Sequence, residues 1–165
     1  MLGIDPGTAV CGFGVVRTGV DRRATLLECG VVRTRATAAL PDRLLTLADA
    51  LEELLERHRP DALALENVFL GRNARTALVL GHARGVVMLA AARRGVVVAE
   101  ITPAEVKRAV TGSGAATKPQ VAAMVARLLR LATAPEPSDA ADGVAIALTH
   151  LIRMSPRTNL AGAGR

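Results

Sequence analysis

Pro60-Asp61-Ala62-Leu63-Ala64-Leu65-Glu66 joins a helix-stopping proline, an apolar run without polar alternation and a terminal acid. A strand that alternates apolar and polar residues has one face in water, whereas an unbroken apolar strand is covered on both. Asp61 to Glu66 therefore reads as a central strand with helices on either side. Before it, Leu44, Leu47, Leu51, Leu54 and Leu55 recur at helical spacing, with Glu52, Glu53 and Glu56 off that face. Pro41 suits the first turn of this helix, and Pro60 ends it. After it, residues 73 to 94 read as a helix in which Gly81 and Gly85 would let another backbone approach closely. Gly95 is its C-cap. Val96 to Ile101 reads as a further strand.

Towards the N-terminus, residues 1 to 5, 10 to 18 and 24 to 35 read as three strands with short links, an antiparallel meander. Towards the C-terminus come a short helix from Pro103, a loop with Gly112 and Gly114, and a helix from Lys118 to Leu131. A break at Pro135 and Pro137 precedes a last helix over 139 to 153. The pattern predicts an α/β fold. A mixed five-stranded sheet, half antiparallel and half parallel, is flanked by helices. Residues 1–153 form one domain, and 154–165 a flexible C-terminal tail.

The chain has 165 residues, half of them hydrophobic, which suits a folded domain with a proper core. Its formal charge of +6 and pI near 10.9 favour a polyanionic partner, although basic charge alone is weak support. Against an arginine-rich background there are only two lysines, Lys107 and Lys118, and two aromatics, Phe13 and Phe69. Cys11 and Cys29 lack the short paired spacing of a zinc site and read as reduced, partly buried thiols. Asp5 interrupts the N-terminus too early for a signal peptide. The longest apolar run, Val86 to Ile101, is broken by Arg93 and Arg94, so no membrane span is expected. A soluble, cytoplasmic protein is the expectation.

Four acids stand at element ends. Asp5 closes the first strand and Glu66 the fourth, while Asp139 and Asp142 lie three apart at the start of the last helix. Open α/β sheets bind ligands at the C-terminal ends of their parallel strands. If strands one and four are neighbours, Asp5 and Glu66 converge there. Asp139 and Asp142 share a helix face and would complete the cluster. Such a cluster is unfavourable alone, because like charges raise one another's pKa. Divalent cations relieve that repulsion, and carboxylate ligands suit Mg²⁺ or Mn²⁺. Each acid alone also has an ordinary reading: Asp5-Pro-Gly-Thr as a turn, Glu66 as a strand-end charge, Asp139 as a complement to the helix dipole. Only the set carries weight.

Several stretches together resemble one family. They are Gly3-Ile-Asp-Pro-Gly-Thr, Glu66-Asn-Val-Phe, Asn73-Ala with Ala77-Leu, Ala83-Arg-Gly-Val, Val106-Lys, Lys118-Pro-Gln-Val and Asp139-Ala-Ala-Asp-Gly-Val-Ala-Ile-Ala. The chain is similar to the RuvC-type Holliday-junction resolvases, bacterial endonucleases with an RNase H-like fold. The resemblance runs from residue 3 to about 150. It implies a homodimer that binds four-way junction DNA and nicks two strands of like polarity symmetrically, leaving 5′-phosphate and 3′-hydroxyl ends. It also implies that Asp5, Glu66, Asp139 and Asp142 are catalytic and hold two divalent cations per subunit, Mg²⁺ or Mn²⁺. RuvA and RuvB, the branch-migration proteins, are implied as partners.

Phe69, beside Gly71 and Arg72, reads either as a core ring or as an exposed ring that stacks on bases at the opened crossover; the resemblance favours the second. Lys107 and Lys118 resemble positions used for DNA contact and catalysis. Arg72 and Arg75 suit phosphate contact or a solvated helix start. His58 reads as a surface residue and His82 as helix packing. His150, eight residues past Asp142, lies over about 10 Å along the helix and is not assigned to the metal site. The 73–94 helix is the expected dimer surface by resemblance. Three other functions compete: a non-catalytic junction-binding module, an RNase H-like nuclease acting on RNA, and an actin-like ATPase. Retention of all four acids disfavours the first. The Glu66-Asn-Val-Phe segment disfavours the second. The short chain, without a second phosphate loop, disfavours the third.

Overall fold

A computed structural model describes residues 1–67 and 74–154, apart from the side chain of residue 75. The strands are β1 (Leu2–Asp5), β2 (Val10–Thr18), β3 (Ala24–Arg33), β4 (Ala62–Glu66) and β5 (Val97–Ile101). The helices are α1 (Leu40–His58), α2 (Ala74–Arg93), α3 (Pro103–Thr111), α4 (Lys118–Leu129) and α5 (Ser138–Met154). The sheet order is β3-β2-β1-β4-β5, with β1–β2 and β2–β3 antiparallel and β1–β4 and β4–β5 parallel. Both the expected antiparallel meander and the expected parallel half are present.

Element ends shift by small amounts from the sequence expectation. β3 stops at Arg33 rather than residue 35. Its pairing direction continues through the Thr34 amide, which donates to the Ala9 carbonyl at 3.1 Å. α4 stops at Leu129 because Arg130 turns left-handed (φ 56°) and its amide caps the last turn on Ala126 and Arg127. α5 runs one residue further than expected, to Met154. Gly95 does adopt the left-handed conformation (φ 67°) that lets α2 turn into β5.

Strand alternation sorts the core into two layers. Leu2, Ile4, Leu63 and Leu65 face α1 and α2, where Leu47, Leu51, Leu54, Val87 and Ala91 cover them. Ala64 and Ile101 face the other way, against Val106, Val125 and the buried run Val144 to Leu148 of α3, α4 and α5. Burial of β4 on both faces is what its unbroken apolar run required.

Two histidines sit differently from expectation. His58 is half-buried, its ring nitrogen 2.6 Å from Glu28 on β3, so it fastens the end of α1 to the sheet. His82 is exposed, because α2 turns Ala83 and Val87 inward and leaves His82 outside. A side chain at Gly81 or Gly85 would meet nothing within 4 Å, so no other part of the described chain makes the close approach.

Candidate metal centre

Alternation along two neighbouring strands aims two acids at one spot. Gly3 and Ala64 face α5, so Asp5 and Glu66, two residues further along each strand, face it too. The parallel register pairs Ile4 with Leu65, which sets Asp5 beside Glu66 at the C-terminal edge.

The two carboxyls share a hydrogen bond. Each is raised above the ordinary carboxylate range, so bringing the two together favours holding a proton at this edge. Burial first, then the charge of and hydrogen bond to Glu66, then Asp142, push Asp5 from 3.8 to about 8. Burial is also the main force raising Glu66, opposed by the hydrogen bond from Asp5 and by the cations Lys118 and Arg84.

α5 delivers the other two acids. Asp5, Asp139 and Asp142 each offer one carboxylate oxygen, and all three oxygens lie within 4.8 Å of one another. What lets the helix sit so near is the absence of side chains beneath it. A Cβ on Gly14 would lie 2.5 Å from the Val144 Cα, and one on Gly12 would collide with the Asp139 carbonyl. From the helix side, a Cβ on Gly143 would lie 2.6 Å from the Phe13 backbone. The sequence reading passed over these glycines. The available signal was that Gly12 and Gly14 alternate on one face of a buried strand and that Gly143 directly follows Asp142.

Lys118 is the first residue of α4, whose capping box from Thr117 and Gln120 fixes the helix start. Its ammonium donates to Asp142 at 2.8 Å, and that bond chiefly raises its pKa. Lys107 sits mid-helix on α3, half-exposed, and makes no ion pair among the described residues. The structure thus brings one of the two expected lysines to the acids. Phe69 and Arg72 lie outside the described residues, as does the side chain of Arg75 at the start of α2. His150 stands apart from the acids, its pKa lowered by burial and by Arg153.

Hard oxygen donors gathered in threes suit a divalent cation of the Mg²⁺ or Mn²⁺ type. The upward shifts of Asp5 and Glu66 have the sign expected where negative charge is crowded and a cation would relieve it. An oxygen-lined cation site on the ligand-binding edge of a basic protein is suited to phosphodiester chemistry.

The family model described as Crossover junction endodeoxyribonuclease RuvC matches residues 1–150. A protein of that name from Rhodococcus jostii is 53% identical over 153 residues, 93% of this chain and 81% of its own length. A Thermus thermophilus RuvC structure superposes with a TM-score of 0.84 at 40% identity, covering 92% of this chain and 94% of that one. A second structure, of T. thermophilus RuvC in complex with a Holliday junction substrate, gives 0.83 at 38% identity, covering 92% and 93%. The fold is α/β and RNase H-like, as the sequence resemblance implied. The chain belongs to the RuvC family of crossover junction endodeoxyribonucleases.

Proposed function

We propose that this crossover junction endodeoxyribonuclease resolves four-way DNA junctions by divalent-cation-dependent nicking of two like-polarity strands, with Asp5, Glu66, Asp139 and Asp142 as its catalytic, metal-holding acids. The observation that supports this most is the convergence of three carboxylate oxygens within 4.8 Å, with Glu66 on the strand beside Asp5. Two bound cations, Mg²⁺ or Mn²⁺, would supply an activated water and neutralise charge on the scissile phosphate and the leaving 3′-oxygen. The chain's own contribution is positioning. The strand ends and α5 hold the acids at fixed spacing, and Asp142 holds the Lys118 ammonium at the rim, where a phosphate would approach. The products are 5′-phosphate and 3′-hydroxyl ends. Lys107, Phe69, Arg72 and Arg75 are the further DNA contacts in this reading, and RuvA and RuvB are its partners by family resemblance.

A labelled synthetic four-way junction tests this. Symmetric cuts are expected with Mg²⁺ or Mn²⁺ and none in EDTA. Binding without cutting under every metal condition would overturn it.

Symmetric cutting needs two copies, and α2 offers the surface. Leu78, Gly81, His82, Gly85 and Leu89 follow helical spacing along one exposed stripe. The two glycines leave room for a second helix, and Leu78 and Leu89 are exposed large apolar side chains. Replacing both Leu78 and Leu89 with Asp is expected to convert a dimer to a monomer in sedimentation velocity. A variant that still sediments as a dimer would move the interface elsewhere.

A further inference from the structure

Arg43 is a half-buried cation in the first half of α1, and among the described residues its side chain bonds only to neutral oxygens. Its Nε donates to the Thr8 carbonyl at 3.1 Å and to the Thr34 hydroxyl at 3.2 Å. A terminal guanidinium nitrogen donates to the Thr8 hydroxyl at 2.7 Å. The Thr34 hydroxyl donates in turn to the same Thr8 carbonyl at 2.5 Å. The Thr34 amide reaches the neighbouring Ala9 carbonyl at 3.1 Å. Arg33 and Arg35, next to Thr34 in the chain, stay exposed in the way a phosphate contact would, whereas Arg43 does not.

Thr8 is three residues past Asp5, in the turn Pro6-Gly-Thr-Ala9 that joins β1 to β2. The carboxylates pressed together at that edge repel one another. Asp5 ends its strand, so the backbone beyond it must be held from the far side or the acid swings away from its partners. Only a planar fork can reach one residue's carbonyl and hydroxyl together with a second hydroxyl; a lysine ammonium is a single point.

We infer that Arg43 is a positioning residue for the metal centre: by clamping Thr8 and Thr34 it fixes the turn that carries Asp5. This rests on the reading of Asp5 as a metal ligand. Arg43 itself touches neither metal nor DNA.

The test compares wild type with Arg43→Met, Arg43→Lys and the milder Thr34→Val. All assays use full-length protein at a temperature where circular dichroism shows each variant folded. Arg43→Met is expected to cut a synthetic junction roughly 10- to 100-fold more slowly in single turnover, the usual scale for misplaced ligand geometry. It should need more Mn²⁺ for half-maximal cutting and show a smaller Mn²⁺-induced rise in Tm. Junction affinity in EDTA, and its salt dependence, should match wild type. Arg43→Lys and Thr34→Val should fall between the two. Normal metal dependence and rate with only a lower Tm would make Arg43 merely structural and overturn the inference. A weaker junction affinity with a shallower salt slope would make it a phosphate contact and overturn it as well. Failure of wild type to cut would instead sink the nuclease reading, which keeps the two outcomes distinct.

Discussion

Asp5→Asn is expected to abolish junction cutting, by at least roughly 10²–10³-fold, while making the metal-free protein more stable. The two effects share one cause. Folding half-buries Asp5 against Glu66 and Asp142 and raises its pKa from 3.8 to about 8. Between those values the native state keeps a proton that the unfolded chain releases. Stability from this group is therefore full below about pH 4 and is lost as pH rises towards about 8. Asparagine has no proton to lose and should flatten that decline. Near neutral pH it should gain on the order of 1–2 kcal/mol, or roughly 2–8 °C in Tm. Added Mn²⁺ should stabilise wild type far more than the variant, since the cation takes over the role of the proton. Junction affinity in EDTA should be unchanged. Urea titrations across pH and gel-shift assays read out each part. Lost stability together with lost binding would make Asp5 a structural acid.

Much of this is legible in the amino-acid sequence. The unbroken apolar run Ala62–Leu65 marked β4 as an interior strand, which lies between β1 and β5, and the parallel register of β1 and β4 sets Asp5 beside Glu66. Periodicity is a one-dimensional signal, and it fixes which face a residue takes. It does not fix how near two elements lie, so the seating of α5 on Gly3, Gly12 and Gly14 was missed. Nor does it distinguish a solvated arginine from one that ties two loops together. Arg84 donates to the Glu66 carbonyl and to Glu100, and links α2 to the site edge. His58 looked like a surface residue for the same reason: its partner Glu28 is thirty residues away in the chain.

That seating carries the other large expected effect. In Gly14→Val the new Cβ would sit 2.5 Å from the Cα of Val144 and 2.6 Å from its nitrogen. Those are backbone atoms of a helix buried from Gly143 to Thr149, so no rotamer change relieves the contact. α5 must lift or the sheet must bend. Overpacking in a core typically costs about 1–3 kcal/mol, and a clash with backbone should reach the top of that range or exceed it. Activity should suffer more than stability. Asp139 and Asp142 ride on the first turns of α5, and a displacement of about 1 Å is enough to cost on the order of 10²-fold in rate. Gly14→Ala should show the same pattern more weakly. Gly30→Ala is the control. It is another sheet glycine, but its Cβ would lie 3.1 Å from the Phe13 ring, a milder contact with a side chain and not with the α5 backbone. It should leave the cutting rate within about threefold of wild type, because it does not touch α5. Equal losses at Gly14 and Gly30 would mean that any sheet glycine matters. Loss at Gly14 alone ties the spacing of the acids to the missing side chains beneath the helix that carries them.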